Sequence, residues 1–142
     1  MLTTDRPGLI VGVGVAVLWD DRVLLVRRGR EPGSGLWAVP GGKPRYGEPL
    51  RVAAAREVRE ETGLVVDVGE VIWAGDAIGP GDPPAFHYAL VDFLGAVVSG
   101  TPRAGDDADE VAWVPIDNTG ALPLTPTMPS LLDVLRRRSA SS

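Results

Sequence analysis

The chain contains no cysteine, so disulfide scaffolds, thiol nucleophiles and thiolate metal sites are all excluded. It has a single histidine, His87, within the strand-like stretch Phe86 to Phe93, where a lone imidazole reads as structural. No long basic tract occurs and the net charge is −5. That argues against a polymeric nucleic acid as partner, because such binding leans on clustered Lys and Arg. A small nucleotide stays open, since it needs only one or two well-placed cations and a metal. The longest apolar run, Gly8 to Leu18, is too short to span a bilayer. Met1 to Pro7 has neither the basic n-region nor the apolar core of a signal peptide, so a cytoplasmic protein without a membrane partner is expected. There is no internal repeat and no interdomain linker. A length of 142 residues with 44% hydrophobic and 23% charged content fits one soluble domain with a single core.

What is present reads as alternating strands and helices. Leu9 to Trp19, rich in valine, is a long buried strand. Asp20-Asp21 makes a turn, and Val23 to Arg28 pairs back as a second strand. Gly29 to Gly35 is a polar loop, followed by the short strand Trp37-Ala38-Val39 and the sharp bend Pro40-Gly41-Gly42. Leu50 to Glu61 is a helix: Pro49 is tolerated at its first turn, its alanine-rich run has high propensity, and Gly63 supplies a left-handed end. Val65 to Trp73 is strand-like, Gly75 to Pro84 an irregular loop, and Phe86 to Val98 another strand. An acidic loop, Asp106-Asp107-Ala108-Asp109-Glu110, precedes the short strand Val111 to Pro115. Pro129 to Arg138 has the apolar spacing of an amphipathic terminal helix, and Ser139 to Ser142 reads as a frayed tail. Mixed strands with one central and one terminal helix indicate an α/β fold, a mixed sheet with helices on both faces.

The chemistry concentrates on the central helix. Glu57, Glu60 and Glu61 stand at i, i+3 and i+4, so they share one face with neighbouring Cβ atoms roughly 5–6 Å apart. Helix propensity gives no reason to crowd three repelling carboxylates. A divalent cation cancels that repulsion, and oxygen ligands suit Mg²⁺ or Mn²⁺. Upstream, Pro40-Gly41-Gly42 provides backbone that can bend and approach a ligand closely.

The complete pattern is Gly42, five residues, Glu48, seven residues, then Arg56-Glu57-Val58-Arg59-Glu60-Glu61-Thr62-Gly63-Leu64. It resembles the Nudix box (residues 42–64), the signature of Nudix hydrolases. All nine specified positions match, against a chance expectation on the order of 10⁻⁷ from average residue usage. The resemblance implies an α/β/α sandwich and hydrolysis of a nucleoside diphosphate linked to another moiety, with water attacking phosphorus and Mg²⁺ (or Mn²⁺) bound. It implies Glu60 and Glu61 as metal ligands and the Gly41 carbonyl as a further one. Glu57 is then the third carboxylate ligand or the base that activates water. Arg56 orients the carboxylates through charge-assisted hydrogen bonds. The general base varies within the family, so the acidic loop offers Glu110 or Asp107 as alternatives to Glu57. Arg28, which matches the phosphate-contacting arginine of relatives better than Arg27, falls on the substrate side with Gly42 and Glu48, and Glu48 completes an outer shell. Trp73 and Tyr88 can stack on a base, although most aromatics read as core.

The box leaves the leaving group open. ADP-ribose or a related nucleoside diphosphate sugar is the leading expectation; Pro80, sixteen residues after Leu64, has a spacing similar to one seen in ADP-ribose pyrophosphatases. Cleavage of (d)NTPs in the manner of MutT is the alternative, and a non-catalytic nucleotide-binding module comes third. The expected partner is a small nucleotide, and the protein is a monomer or homodimer.

Overall fold

The computed structural model describes residues 8–105 and 107–141. The N-terminal reading of Met1 to Pro7, and Asp106 and Ser142, lie outside the described residues. The elements are β1 (Leu9–Trp19), β2 (Arg22–Arg28), β3 (Trp37–Ala38), β4 (Gly41–Gly42), α1 (Leu50–Thr62), β5 (Val65–Ile78), β6 (His87–Ser99), β7 (Ala108–Pro115) and α2 (Met128–Ser141). The strands form one mixed sheet in the order β3-β2-β1-β6-β5, with β4 on β1 and β7 on β2. β1 and β6 are parallel; the other named pairs are antiparallel.

Alternation along the strands sorts side chains between two helices. Val13, Val15 and Val17 of β1, Leu24 of β2 and Phe93 of β6 pack with Ala53, Ala54 and Val58 of α1. Ala16, Val23, Leu25 and Val114 face the other way and pack with Met128, Leu131, Leu132 and Leu135 of α2. A sheet with one helix on each face is the α/β/α sandwich that the element order indicated. Among the described residues no helix is long and apolar enough to cross a membrane.

The site is created by a split in the sheet. β1 and β2 pair only at Leu18↔Val23 and Trp19↔Arg22. Beyond that, β2 pairs with β3 and β7, while β1 takes β4 at Val13↔Gly42 and Gly14↔Gly41. The Val15 amide donates to the Pro40 carbonyl at 3.0 Å, so the Pro-Gly-Gly bend lines the β1 side of the wedge. A Cβ on Gly41 would collide with the Val13 carbonyl oxygen and with Gly14 Cα; only glycine lets the two chains approach this closely.

Three boundaries differ from the sequence reading by three residues or more. β5 runs to Ile78, into the expected loop from Gly75, because Gly75 to Ile78 pair with Leu90 to His87 of β6; the Trp73 ring lies over Gly75, where a Cβ would sit 2.7 Å from it. Ala108, Asp109 and Glu110 belong to β7, where pairing with β2 extends the strand. Ser139 to Ser141 continue α2.

Candidate active site

α1 begins after Pro49, which has extended backbone and gives no side-chain cap; its carbonyl accepts the Ala53 amide at 2.9 Å. At the other end Gly63 adopts φ 77° and its amide returns to the Arg59 carbonyl, the left-handed stop that the sequence indicated. The last carbonyls are also taken by the loop after β6: Arg103 N–H donates to Thr62 O and Gly105 N–H to Glu61 O, both at 2.9 Å. Ala53 and Ala54 are fully buried, and such small side chains let the helix sit close to the sheet. That closeness draws the acidic face of α1 against β4.

Arg56 organises that face. Its Nε and Nη2 donate to the two oxygens of Glu48 at 2.8 Å each, and its Nη1 donates to Glu57 at 2.8 Å and to Glu60 at 3.2 Å. Nη2 also reaches the Lys43 carbonyl at 3.2 Å. A forked, bidentate pair of this kind fixes orientation as well as charge. Glu48 in turn accepts the Arg45 amide, and its carboxyl is held down to about 2, first by the Arg56 hydrogen bonds and then by the Arg45 amide. Arg56 is pushed upward by the same Glu48 contact, so it stays charged throughout.

Glu61 is the most enclosed of the helix carboxylates, with 9% of its surface exposed. Its Oε2 accepts the Gly41 amide at 3.2 Å. Burial pushes its carboxyl up to about 8 against that hydrogen bond, and the charges of Glu57 and Asp107 add to the shift. Glu57 is also raised, first by burial and despite Arg56. Its carboxyl lies where a Cβ on Gly42 would be, 2.4 Å away, so Gly42 must be glycine for Glu57 to reach the wedge. Two carboxylates, one buried and one half-buried, held above their ordinary range want either a proton or a cation. Among the described residues, no three carboxylate or imidazole groups already converge at ligand distance: Glu60 is turned to Arg56 and to Arg45, the latter at 3.7 Å. The donor chemistry fits a hard divalent cation all the same, since every candidate ligand is an oxygen.

Arg28 lies on the α1 side of β2. Its Nε donates to the Pro32 carbonyl at 2.8 Å, and its charge acts on Glu61. Asp107 pairs with Arg30 at 2.7 Å while its charge acts on both Glu57 and Glu61, so it belongs to the constellation. Glu110 does not. It is the cross-strand partner of Arg27, bonds that guanidinium at 2.8 Å, and by strand alternation shares the α2 face. Arg27 and Arg28 point to opposite faces as alternation requires, and Arg27 Nε is buried without a hydrogen-bond partner among the described residues. His87 pairs with Asp76 at 2.8 Å at the exposed end of β6.

Sequence reasoning passed over Arg30, Arg45 and Asp92. The first two become visible only once loops are placed. Asp92, a carboxylate inside the apolar run Ala89 to Leu94, carried its own signal. Open depressions of about 710 Å³ beside α2 and about 420 Å³ beside Trp19 and Trp113 are not lined by any of the α1 glutamates. The carboxylate cluster instead lies along the open wedge.

The NUDIX domain model matches residues 8–135, and the chain belongs to that family, the Nudix hydrolases. It is 36% identical over 138 residues to a Mycobacterium tuberculosis protein provisionally named 8-oxo-dGTP diphosphatase 2, covering 88% of this chain and 95% of that one. It is 35% identical over 99 residues to the ADP-ribose pyrophosphatase of Methanocaldococcus jannaschii, covering 70% of this chain but 57% of that relative's length. Among solved structures, a MutT NUDIX hydrolase from Burkholderia pseudomallei superposes with a TM-score of 0.81 at 30% identity, covering 89% of this chain and 97% of its own.

Proposed function

We propose that the protein is a divalent-cation-dependent pyrophosphohydrolase that cleaves a nucleoside diphosphate linked to another moiety, with ADP-ribose or a related nucleoside diphosphate sugar as substrate. The observation that carries this reading is the Arg56 hub, which binds Glu48, Glu57 and Glu60 while Glu61 accepts the Gly41 amide. A hydrolase of this family with its whole carboxylate set oriented is equipped for turnover, which disfavours a silent binding module.

In this reading Glu60 and Glu61, with the Gly41 backbone, hold the cation, which when bound neutralises the diphosphate. Glu57, raised by burial, takes the proton of the attacking water; Asp107 is the alternative base. Arg56 keeps Glu57 and Glu60 at fixed distances, and Arg28 faces the negative charge of the substrate. Water oxygen bonds to one phosphorus, the bridging P–O bond breaks, and each half leaves as a phosphate monoester. Chemistry of this kind depends mainly on positioning and charge.

The likeness to the ADP-ribose pyrophosphatase of M. jannaschii supports the substrate class. The M. tuberculosis relative supports a second reading, cleavage of (d)NTPs to monophosphate and pyrophosphate. Incubation with Mg²⁺ and a panel of ADP-ribose, nucleoside diphosphate sugars and dNTPs, resolved by chromatography, separates the two. AMP plus ribose 5-phosphate from ADP-ribose, with dNTPs intact, is the expected outcome. Monophosphate plus pyrophosphate from a dNTP alone would establish the second reading.

A further inference from the structure

A second carboxylate site lies across the sheet from α1. Asp92 of β6 is 8% exposed and, among the described residues, has neither hydrogen bond nor ion pair. Its carboxyl is raised to about 6 by burial alone, whereas buried carboxylates elsewhere in folded proteins are almost always paired. The fold makes room for it deliberately. Asp92 is the register partner of Gly14, and a Cβ on Gly14 would meet Asp92 Oδ1 at 2.5 Å and Val39 at 3.1 Å. The carboxylate therefore lies over the glycine, on the α2-side face of the sheet.

One neighbour across the strands is aromatic. Trp73 is the cross-strand partner of Asp92, with its ring laid over Gly75. Leu90 and Tyr88 follow on the same face of β6, and Lys43 Nζ stands 5.9 Å from the Tyr88 ring centroid. Asp92, Gly14 and Gly41 form one row across three strands. Two strand spacings, about 10 Å, thus separate Asp92 from the backbone that holds Glu61. That is the reach of a nucleoside from its 5′ phosphate to the far edge of its base. A buried acceptor with an indole on the neighbouring strand suits a planar, stacking group that presents N–H donors.

We infer that Asp92 is the residue that selects the nucleobase: its carboxylate accepts the exocyclic amino group of a purine whose phosphates lie in the α1 wedge. The inference rests on the nucleotide-hydrolase reading above. Adenine would be the base of an ADP-ribose-type substrate and guanine that of a dGTP-type one; both offer the same amino chemistry.

Binding of nucleoside monophosphates tests this without turnover, so its outcome is independent of which anhydride, if any, is cut. Calorimetric titration compares AMP, GMP and purine riboside 5′-monophosphate, which has the same ribose and phosphate but no amino group. The wild type is expected to bind AMP or GMP at least about 10-fold tighter than purine riboside monophosphate, as loss of one charge-assisted hydrogen bond implies. In Asp92→Val and Asp92→Ala that ratio is expected to fall to about 1–2, with purine riboside monophosphate bound as before. Whichever of AMP and GMP holds the preference names the base. Equal wild-type affinities for all three, a result that needs no variant to fold, would overturn the assignment. So would a ratio that persists in folded variants, which would leave Asp92 a structural oddity or a reader of ribose. Melting temperatures at or above wild type are expected for Asp92→Val, because a buried unpaired charge is removed.

Discussion

The two helices cover opposite faces of one sheet by opposite means. α2 buries Met128, Leu131, Leu132 and Leu135, four large side chains worth roughly 1.5–3 kcal/mol each, and contributes no carboxylate to the wedge. α1 buries two alanines, Val58, Thr62 and Glu61. Its small residues give up apolar area and gain proximity, which is what allows Glu61 to lie under the Gly41 amide. One helix holds the sandwich together, and the other holds charge in a place where charge is unstable without a partner. The same division reappears within the sheet, where Gly14 and Gly42 each leave an empty position that a carboxylate occupies from one face or the other.

This contrast can be broken by single substitutions. The largest effect on turnover is expected from Glu61→Gln and Glu57→Gln, each lowering kcat by at least about 100-fold with the melting temperature unchanged or raised; kcat within a factor of about 3 of wild type would detach these residues from the chemistry. Leu131→Ala in α2 should do the reverse. It is expected to cost about 2–5 kcal/mol of unfolding free energy in denaturant titration while kcat/KM of the folded enzyme stays near wild type.

A third effect sharpens the comparison through pH. The Glu61 carboxyl rises from 4.5 unfolded to about 8 folded, so the native state binds its proton more tightly. The stability this contributes is complete below about 4.5 and is lost as pH climbs through about 8. Metal-free protein should therefore melt at lower temperature at pH 8 than at pH 5. Glu61→Gln should flatten that slope, and an unchanged slope in the variant would place the titration elsewhere. The smallest effect is expected from Glu110→Gln, since Glu110 faces Arg27 on the α2 side; kcat within a factor of about 3 of wild type is the expected outcome, and a fall as deep as that of Glu57→Gln would make it the base.

How much of this was legible in the chain follows from how local each feature is. β1 has the bounds that its valine pattern indicated, and α1 runs one residue beyond its reading, because hydrophobic periodicity and the Gly63 stop act within a few residues. The box was legible for the same reason: a helix turns fixed spacing into shared geometry. The Gly75 region was misread because glycine in a strand looks like a loop until the Trp73 ring is seen over it. Glu110 was misplaced because its face depends on strand register with β2 and on the bulge between Arg27 and Arg28. Asp92 gained meaning only from Gly14, a partner on another strand and far away in sequence.

Whether the α1 carboxylates bind a divalent cation is measured most directly by titration of Mn²⁺ followed by electron paramagnetic resonance. Wild-type protein should remove free Mn²⁺ signal with a defined stoichiometry and be competed by Mg²⁺, and Glu61→Gln should weaken that binding by about 10-fold or more. Equal Mn²⁺ affinity in the wild type and in folded Glu61→Gln, or no binding by either, would contradict it.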